Sequence, residues 1–523
     1  MDMTSLTALD QIGFPILSLA LWVPLLAAAV LWAGVGGLPA RALAIVAAGL
    51  QLAIAVFAVL AFRTDHAGLQ LVENVGFYRL GIDGISVLFL PLTAVLTLLC
   101  VLATGPRDWG RLSSSTGPAA HVGSDERRFH AALLALSAAL TGAFCAGDIR
   151  LFWLFLTVEA IPAWYLLARF GLNGRSGTSA RDFAVTMGLA AGLSLVGLEL
   201  LIGHLGGAGL DLLTTIDVPP SAQGAIFVLL ALAFAIRAPL FPLHGWLPRV
   251  LENGPVMGLG VFLVGLKVGT YGFLRFVIVP LPQATADYAW VLATLGGIGA
   301  IYGGVMALIQ TDLRRLLAYA SIAHMGVIVI GLFSYNAHGI EGGLLQMVTI
   351  GMAVAGLYIL AAFIAARVPR PDVSHLGALI GRAPWLAGAF LVTAMAAVGM
   401  PGTSGFNGEH LVVIGAYEAH WVFALMVGAS TVLTAAYLLR FFQRAFMDAA
   451  PAEAKSADFD DLRPGERIIA GSLIALVMVV GLYTGPFIAL TRASVDAVVG
   501  RISPSETTTT GPAAQAALHS ITN

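Results

Sequence analysis

Long apolar stretches alternate with short polar joints along most of the 523-residue chain. A membrane-spanning helix needs about 20 predominantly apolar residues, and runs of at least about 18 recur here at close spacing. The runs lack the polar/apolar alternation of barrel strands, so they predict helices, about fourteen in number. They lie near residues 14–36, 40–62, 82–104, 130–146, 149–168, 183–203, 223–246, 256–278, 287–309, 316–334, 342–366, 384–416, 420–442 and 466–491.

Composition agrees with an all-α integral membrane protein. Hydrophobic residues make up 58% of the chain and charged residues only 11%, and the mean hydropathy is +0.89. A soluble domain of this size would need far more polar surface. The only two cysteines, Cys100 and Cys145, lie in apolar runs and predict no iron–sulfur cluster. The glycine cluster GGIGAIYGG (296–304) follows no strand, so it favours close helix packing over dinucleotide binding.

The polar joints are asymmetric in charge. If they alternate sides, most of the 27 Lys and Arg residues fall on one side, which the positive-inside rule makes cytoplasmic. Both termini are then predicted to lie outside the cytoplasm. Residues 105–129 and 447–465 are predicted cytoplasmic loops, and the low-complexity tail from Ser503 is predicted to be disordered.

Two predicted helices carry helix breakers near their middle. One reads FAIRAPLFPLHGWLP, with Pro239 and Pro242 after Arg237. The other reads AAVGMPGTSGFNGEHLVV, with several breakers before Glu409. Proline removes a helical hydrogen bond, and the freed carbonyls must be satisfied by protein or water rather than lipid. Paired broken helices are typical of internally repeated transporters whose sites lie near the membrane midplane.

Six titratable residues within the apolar segments are candidates for moving or steering a proton: Glu159, Arg237, His244, Lys267, His324 and Glu409. Lys267 is one of two lysines in the chain, and placing it at mid-membrane costs at least ~3 kcal/mol without a partner or water. Structural alternatives remain open for each. Lys267, Glu159 and Arg237 could be parts of buried ion pairs, Glu409 a helix cap, and the histidines neutral hydrogen-bonded groups. Asp83, in GIDGIS, is predicted to cap the third helix.

Five segments of the chain resemble a known family. They are FWLFLTVEAIPAWYLLARFG (152–171), RAPLFPLHGWLP (237–248), LKVGTYGFLRF (266–276), QTDLRRLLAYASIAHMG (310–326) and GMPGTSGFNGEHLVV (399–413). They are similar to the M-type, or chain-four, antiporter-like membrane subunits of complex I, with resemblance from about 76 to 445. Related subunits of sodium/proton antiporters share parts of the pattern.

The resemblance implies fourteen helices arranged as two inverted five-helix repeats. It divides the chain into helices 1–3 with a loop (1–129), a first repeat (130–279), a second repeat (287–445), a loop with helix 14 (446–502) and the tail (503–523). It also implies a proton path through Glu159 of the fifth helix, Lys267 of the eighth, His324 of the tenth and Glu409 of the twelfth, with His244 at its family position.

Three departures mark a divergent member of that family. Arg237 stands where the family has a lysine, the acidic and histidine residues after WLP are replaced by RVLENGPV (249–256), and Ile350 stands where a histidine is expected. A guanidinium does not release its proton usefully, whereas a buried lysine can. Arg237 is therefore predicted to hold Glu159 as a fixed counter-ion.

The sequence thus favours a proton-translocating membrane subunit of a complex I-like NADH:quinone oxidoreductase in a bacterial inner membrane. The chain would carry no cofactor or metal, and flavin, iron–sulfur clusters and quinone would bind partner membrane or peripheral subunits. Its partners would be other subunits, lipid and protons, with no nucleic acid. The alternatives are an antiporter-like subunit of a sodium/proton antiporter, an inorganic-carbon uptake or a membrane hydrogenase complex, and a scaffold paralogue that no longer pumps.

Overall fold

A computed structural model describes residues 5–35, 39–105, 122–171, 176–255, 258–368, 372–449 and 459–502. The predicted disordered tail lies outside these ranges, as do residues 106–121 and 450–458 of the two predicted cytoplasmic loops. The first loop prediction was wrong at its end, because residues 122–129 are already helical.

The first half of the chain contains a short β-hairpin among helices. Its elements are α1 Ala8–Ile12, α2 Ile16–Ala33, α3 Ala40–Ala61, β1 Gln70–Val75, β2 Tyr78–Ile82, α4 Phe89–Ala103, α5 Val122–Cys145, α6 Ile149–Val158, α7 Ala160–Phe170, α8 Ser176–Leu205, α9 Leu212–Thr215, α10 Pro220–Arg237 and α11 Trp246–Asn253.

The described residues of the second half contain helices and connecting segments but no strand. Its elements are α12 Leu259–Gly272 continued by a π-helical turn Phe273–Ile278, α13 Pro282–Leu308, α14 Leu313–Phe333, α15 Ala337–Ala365, α16 Leu379–Arg382, α17 Pro384–Val398, α18 Ser404–Ala419, α19 Trp421–Phe442 continued by a π-helical turn Gln443–Met447, α20 Pro464–Leu482 and α21 Gly485–Ile502.

Membrane-spanning helices dominate the described part of the chain. Twelve spans there are long and apolar enough to cross a bilayer, and two shorter apolar helices, α4 and α17, fall within the predicted runs 82–104 and 384–416. The helical membrane fold is therefore confirmed, while the count of fourteen and the inverted repeats stay predictions.

Both predicted helix breaks are present. After α10 the chain is non-helical through Ala238–Gly245 before α11 begins. The predicted run 384–416 is two helices, α17 and α18, because Gly399 adopts a left-handed conformation (φ +79°) that ends α17. The first break contains the buried residues Ala238, Leu240 and His244, whereas in the second Thr403 is buried and Met400 is 50% exposed.

The centre of the bundle is formed by α14 and α15, which are buried on every side. Helix α14 packs closely on α13 through small residues: a Cβ at Gly303 or Gly326 would lie 2.7 Å from a backbone nitrogen of the other helix. Side chains on α14 and α15 are therefore shielded from lipid, and these two helices can carry polar groups.

The hairpin packs against the start of α2. Strands β1 and β2 are antiparallel, with Glu73 opposite Leu80. The Glu73 carboxylate accepts hydrogen bonds from the backbone N–H groups of Leu17 (2.6 Å) and Ser18 (3.0 Å), which satisfies free donors in the first turn of α2. The hairpin thereby fixes the entry of the chain into its first spanning helix.

Candidate functional site

Glu159 and Arg237 form a buried ion pair in the first half of the bundle. Glu159 separates α6 from α7, and Arg237 is the last residue of α10, just before the predicted break. Arg237 Nη2 donates to Glu159 Oε1, and the two side chains are only 2% and 6% exposed. Nε and Nη1 of Arg237 are buried with no hydrogen-bond partner among the described residues. The contact between Arg237 and Glu159 is therefore present, while the role of Arg237 as a fixed counter-ion stays a prediction.

Two glycines of α12 pack against the region of this ion pair. A Cβ at Gly265 would lie 3.1 Å from Glu159 Oε2, and a Cβ at Gly269 would lie 2.7 Å from the backbone nitrogen of Ala238. Residues four apart share a helix face, and a residue midway between them points about 200° away. Lys267 lies midway, so it leaves the opposite face of α12.

Lys267 points into the centre of the bundle. It is 4% exposed, and its Nζ donates to the thioether of Met325 on α14 at 3.5 Å. Gly351 of α15 lies across from α12: a Cβ there would make an ordinary van der Waals contact with Lys267 Cε at 3.4 Å. No carboxylate lies within ion-pair distance of Lys267 in the described part of the chain, which removes a buried ion pair as its structural explanation.

His324 is the titratable neighbour of Lys267. The two side chains interact electrostatically, and His324 is buried with no described hydrogen-bond partner for Nε2. An imidazole nitrogen can donate or accept a hydrogen bond according to its tautomer. Lys267 and His324 are thus two buried proton-binding groups that affect each other electrostatically.

Glu409 lies in the second half, surrounded by uncharged groups. The Thr431 hydroxyl of α19 donates to Glu409 Oε1, and Gln346 Nε2 of α15 donates to Oε2 at 3.5 Å. These side-chain contacts replace the helix-cap role considered for Glu409, because Thr403 is the N-cap of α18. Its carboxylate is buried without a described cationic partner.

His244 stands apart from these groups. It lies in the unwound segment after α10, with its ring stacked on Phe241 at 5.5 Å between centroids and tilted against Tyr302 at 5.0 Å. Its Nδ1 is buried without a described partner. His244 therefore lies among aromatic side chains, away from the other candidates. The other five candidates form three groups: Glu159 with Arg237, Lys267 with His324, and Glu409 alone.

The interpretation of Asp83 as a helix cap was wrong in part, because Asp83 forms a buried ion pair with Arg275. Arg275 Nη1 and Nη2 donate to both Asp83 oxygens at 2.6 Å, and both side chains are buried. Asp83 also accepts from the N–H groups of Ile85 and Ser86, but α4 begins only at Phe89. A buried aspartate before a helix and an arginine in an apolar run were the signals that could have suggested the pair.

The same architecture is found in proteins of known family. Residues 146–434 match the family model described as NADH:quinone oxidoreductase/Mrp antiporter, TM. The chain belongs to that family. It is a multi-pass membrane protein, and the matched range contains Glu159, Arg237, Lys267, His324 and Glu409.

Individual family members agree over most of their length. NADH-quinone oxidoreductase subunit M of Mycobacterium tuberculosis is 31% identical over 481 residues, which is 86% of this chain and 87% of the relative. A chain of respiratory complex I from Thermus thermophilus superimposes with a TM-score of 0.80 at 29% identity, covering 93% of this chain and 99% of that one.

A more distant structure shares the fold. A chain of the Mrp complex from Dietzia sp. superimposes with a TM-score of 0.77 at 22% identity, covering 94% of this chain and 97% of that one. At that identity the likeness extends to the helical architecture alone. The family fold is therefore common to chains from differently named complexes.

Proposed function

We propose that this chain is a proton-translocating membrane subunit of a complex I-like NADH:quinone oxidoreductase. The observation that carries the proposal is the buried Lys267 next to His324, with a thioether instead of a carboxylate as its contact. A permanently paired lysine would be a poor carrier, whereas an unpaired one can take up and release a proton as its surroundings change. The similarity to subunit M sequences and to a complex I chain supports the choice of complex.

The geometry suggests a division of roles. Arg237 keeps its charge and holds Glu159, so this pair can change the local field without giving up a proton. Lys267 and His324 would hold the transferred proton, and Glu409 would exchange it in the second half of the bundle. Redox energy would reach the chain as electrostatic changes from partner subunits, which would carry flavin, iron–sulfur clusters and quinone. The chain itself would perform no redox chemistry.

The sharpest test is a pair of substitutions at Lys267 in the intact complex in proteoliposomes. Lys267→Arg keeps a cation but cannot release its proton, and Lys267→Ala removes both. Both variants are expected to slow proton transfer by at least about tenfold, equivalent to ~1.4 kcal/mol in its barrier, and so to lower the number of protons moved per NADH oxidised. Transfer retained by Lys267→Arg alone would assign Lys267 a structural role, and unchanged stoichiometry in both would reject this route.

Thr393→Val provides a matched control for these variants. Thr393 is fully buried, and its hydroxyl donates to Ala389 O of its own helix at 2.8 Å. This substitution also changes a buried polar side chain, but it leaves the proposed path untouched. We expect its proton stoichiometry to equal that of the wild type.

A second candidate function is an antiporter-like subunit of another complex, which moves sodium or serves inorganic-carbon uptake or a membrane hydrogenase. The altered motif RVLENGPV (249–256) and Ile350 in place of a histidine favour this alternative. Isolation of the intact complex followed by mass spectrometry separates the two: quinone-reductase subunits support the first proposal, and antiporter or carbonic-anhydrase-like subunits the second. Normal proton movement in Arg237→Lys together with its loss in Lys267→Ala would exclude a non-pumping scaffold.

We also propose a location in a bacterial inner membrane with both chain termini on the outer side. The support is the excess of Lys and Arg in alternate joints and the bacterial relatives. Single-cysteine labelling of the two loops 105–129 and 447–465 from outside intact cells is expected to fail. Labelling of both loops would reverse the topology.

A further inference from the structure

Gln346 is the single amide side chain of α15, within the apolar stretch LLQMVTIGMAVAG. It is fully buried. Burying an amide without hydrogen bonds costs roughly 1–3 kcal/mol, so its two ends need partners. Both ends have them: Nε2 donates to Glu409 Oε2 at 3.5 Å, and Oε1 accepts from the Thr349 hydroxyl at 3.3 Å.

Thr349 is the hydrogen-bond partner at the other end of the amide. Its hydroxyl lies almost one turn further along α15, buried at 1% exposure, and donates to the amide oxygen. With Oε1 held in this way, the NH₂ end is directed at the carboxylate. The reversed amide would put an oxygen against an oxygen of an ionised Glu409, which is repulsive.

Two glycines make the close approach possible. A Cβ at Gly408 would lie 2.8 Å from Gln346 Oε1, and a Cβ at Gly399 would lie 2.6 Å from Glu409 Oε2. Thr431 donates to the other carboxylate oxygen, Oε1. Each oxygen of Glu409 therefore has its own uncharged donor, and the plane of the carboxylate is fixed.

We propose that Gln346 and Thr349 are positioning residues that hold Glu409 in both of its protonation states. When Glu409 is ionised, the amide NH₂ donates to Oε2. When a proton binds Oε2, the amide turns by 180°, so that its oxygen accepts from the new O–H and its NH₂ donates to Thr349, whose hydroxyl can serve as donor or acceptor. One proton is added to Glu409, and no other covalent bond changes.

This inference rests on the proposed function, because it needs Glu409 to exchange a proton. It adds two uncharged residues, Gln346 and Thr349, to a proposed proton path that otherwise consists of titratable residues. A fixed cation at this place would stabilise only the ionised carboxylate. An amide paired with a hydroxyl can hydrogen-bond to the ionised and to the protonated form. Gln346 and Thr349 are thus suited to hold a carboxylate that must both accept and release a proton.

The test uses Gln346→Leu, Thr349→Val and Thr349→Ser in the intact complex. Gln346→Leu and Thr349→Val are expected to slow proton transfer by about fivefold or more, the scale of one lost hydrogen bond, and to move its pH profile. Thr349→Ser keeps the hydroxyl and is expected to behave as the wild type. Infrared difference spectra should show the carboxyl C=O band of Glu409, assigned with Glu409→Gln, shifted in the first two variants only.

Thr393→Val again serves as the control, since it loses a buried hydroxyl away from Glu409. If Gln346→Leu does not assemble, the pair Thr349→Val and Thr349→Ser decides the outcome. An unchanged pH profile and infrared band in Thr349→Val would overturn the inference. Failure of the proposed function is distinguishable, because Lys267→Ala would then also move protons normally.

Discussion

The two regions next to the broken helices differ in the partners of their buried carboxylates. Glu159, beside the end of α10, is paired with a guanidinium that cannot lose its charge. Glu409, just after the start of α18, is surrounded by the hydroxyl of Thr431 and the amide of Gln346. Both carboxylates are buried, so burial alone does not distinguish them. The difference lies in the charge of their partners.

This difference indicates which region can change its protonation. A buried ion pair stays intact unless both partners are compensated, because either charge alone in a dry interior is costly. A carboxylate held by neutral groups leaves no isolated charge behind when it gains a proton. The first region is therefore suited to setting a field, and the second to exchanging a proton.

The largest expected effect comes from breaking the ion pair on one side. Arg237→Met leaves Glu159 without a partner and should destabilise the protein by about 3–5 kcal/mol. The double variant Glu159→Leu/Arg237→Met removes both charges and should recover most of that stability. Thermal unfolding of the detergent-solubilised complex measures both changes. Equal losses in the single and double variants would show that the charges are not coupled.

A smaller effect is expected at the break between α17 and α18. Gly399→Ala must adopt φ +79° and place a Cβ against Glu409, whereas Gly402→Ala adopts φ +87° with its nearest contact, Leu482, at 3.9 Å. Left-handed strain costs both variants roughly 1–3 kcal/mol. Only Gly399→Ala should also impair proton transfer. Similar transfer in both variants would mean that the carboxylate has room to move.

The smallest effect on stability is expected for Glu409→Gln. The new amide keeps the size of the side chain and leaves no unpaired charge, so the free energy of unfolding should fall by only about 1 kcal/mol. Proton transfer should nevertheless be lost, because an amide cannot take up the proton. A loss of stability as large as that of Arg237→Met would mean that Glu409 has a cationic partner. The proposed difference between the two regions would then be wrong.

The sequence predicted the helical membrane fold, both breaks and the burial of the charged residues. Long apolar runs and prolines act locally, so these features can be read without tertiary contacts. The surroundings of Glu409 could not be predicted in this way, since Gln346, Thr349 and Thr431 are ordinary uncharged residues that gain a role only through helix packing. The pairing of Asp83 with Arg275 joins residues 192 positions apart and was missed for the same reason.

One feature of α12 was present in the sequence but needed the structure to be understood. The spacing Gly265–Lys267–Gly269 already places the lysine opposite the two glycines. Only the packing of Glu159 and Ala238 against those glycines reveals what lies on each side. A short glycine repeat around a buried charge is thus informative once the neighbours are known.

The opposite placement of Lys267 and the Glu159–Arg237 pair makes α12 an insulating wall about 10 Å thick. No hydrogen-bonded chain needs to cross it, since influence can pass through space. At an effective dielectric constant of about 20, one unit of charge gained or lost across ~10 Å is worth about 1.7 kcal/mol, roughly a 20-fold change in an equilibrium. A change of charge on one face of α12 can therefore affect the groups on the other face without a proton crossing the helix.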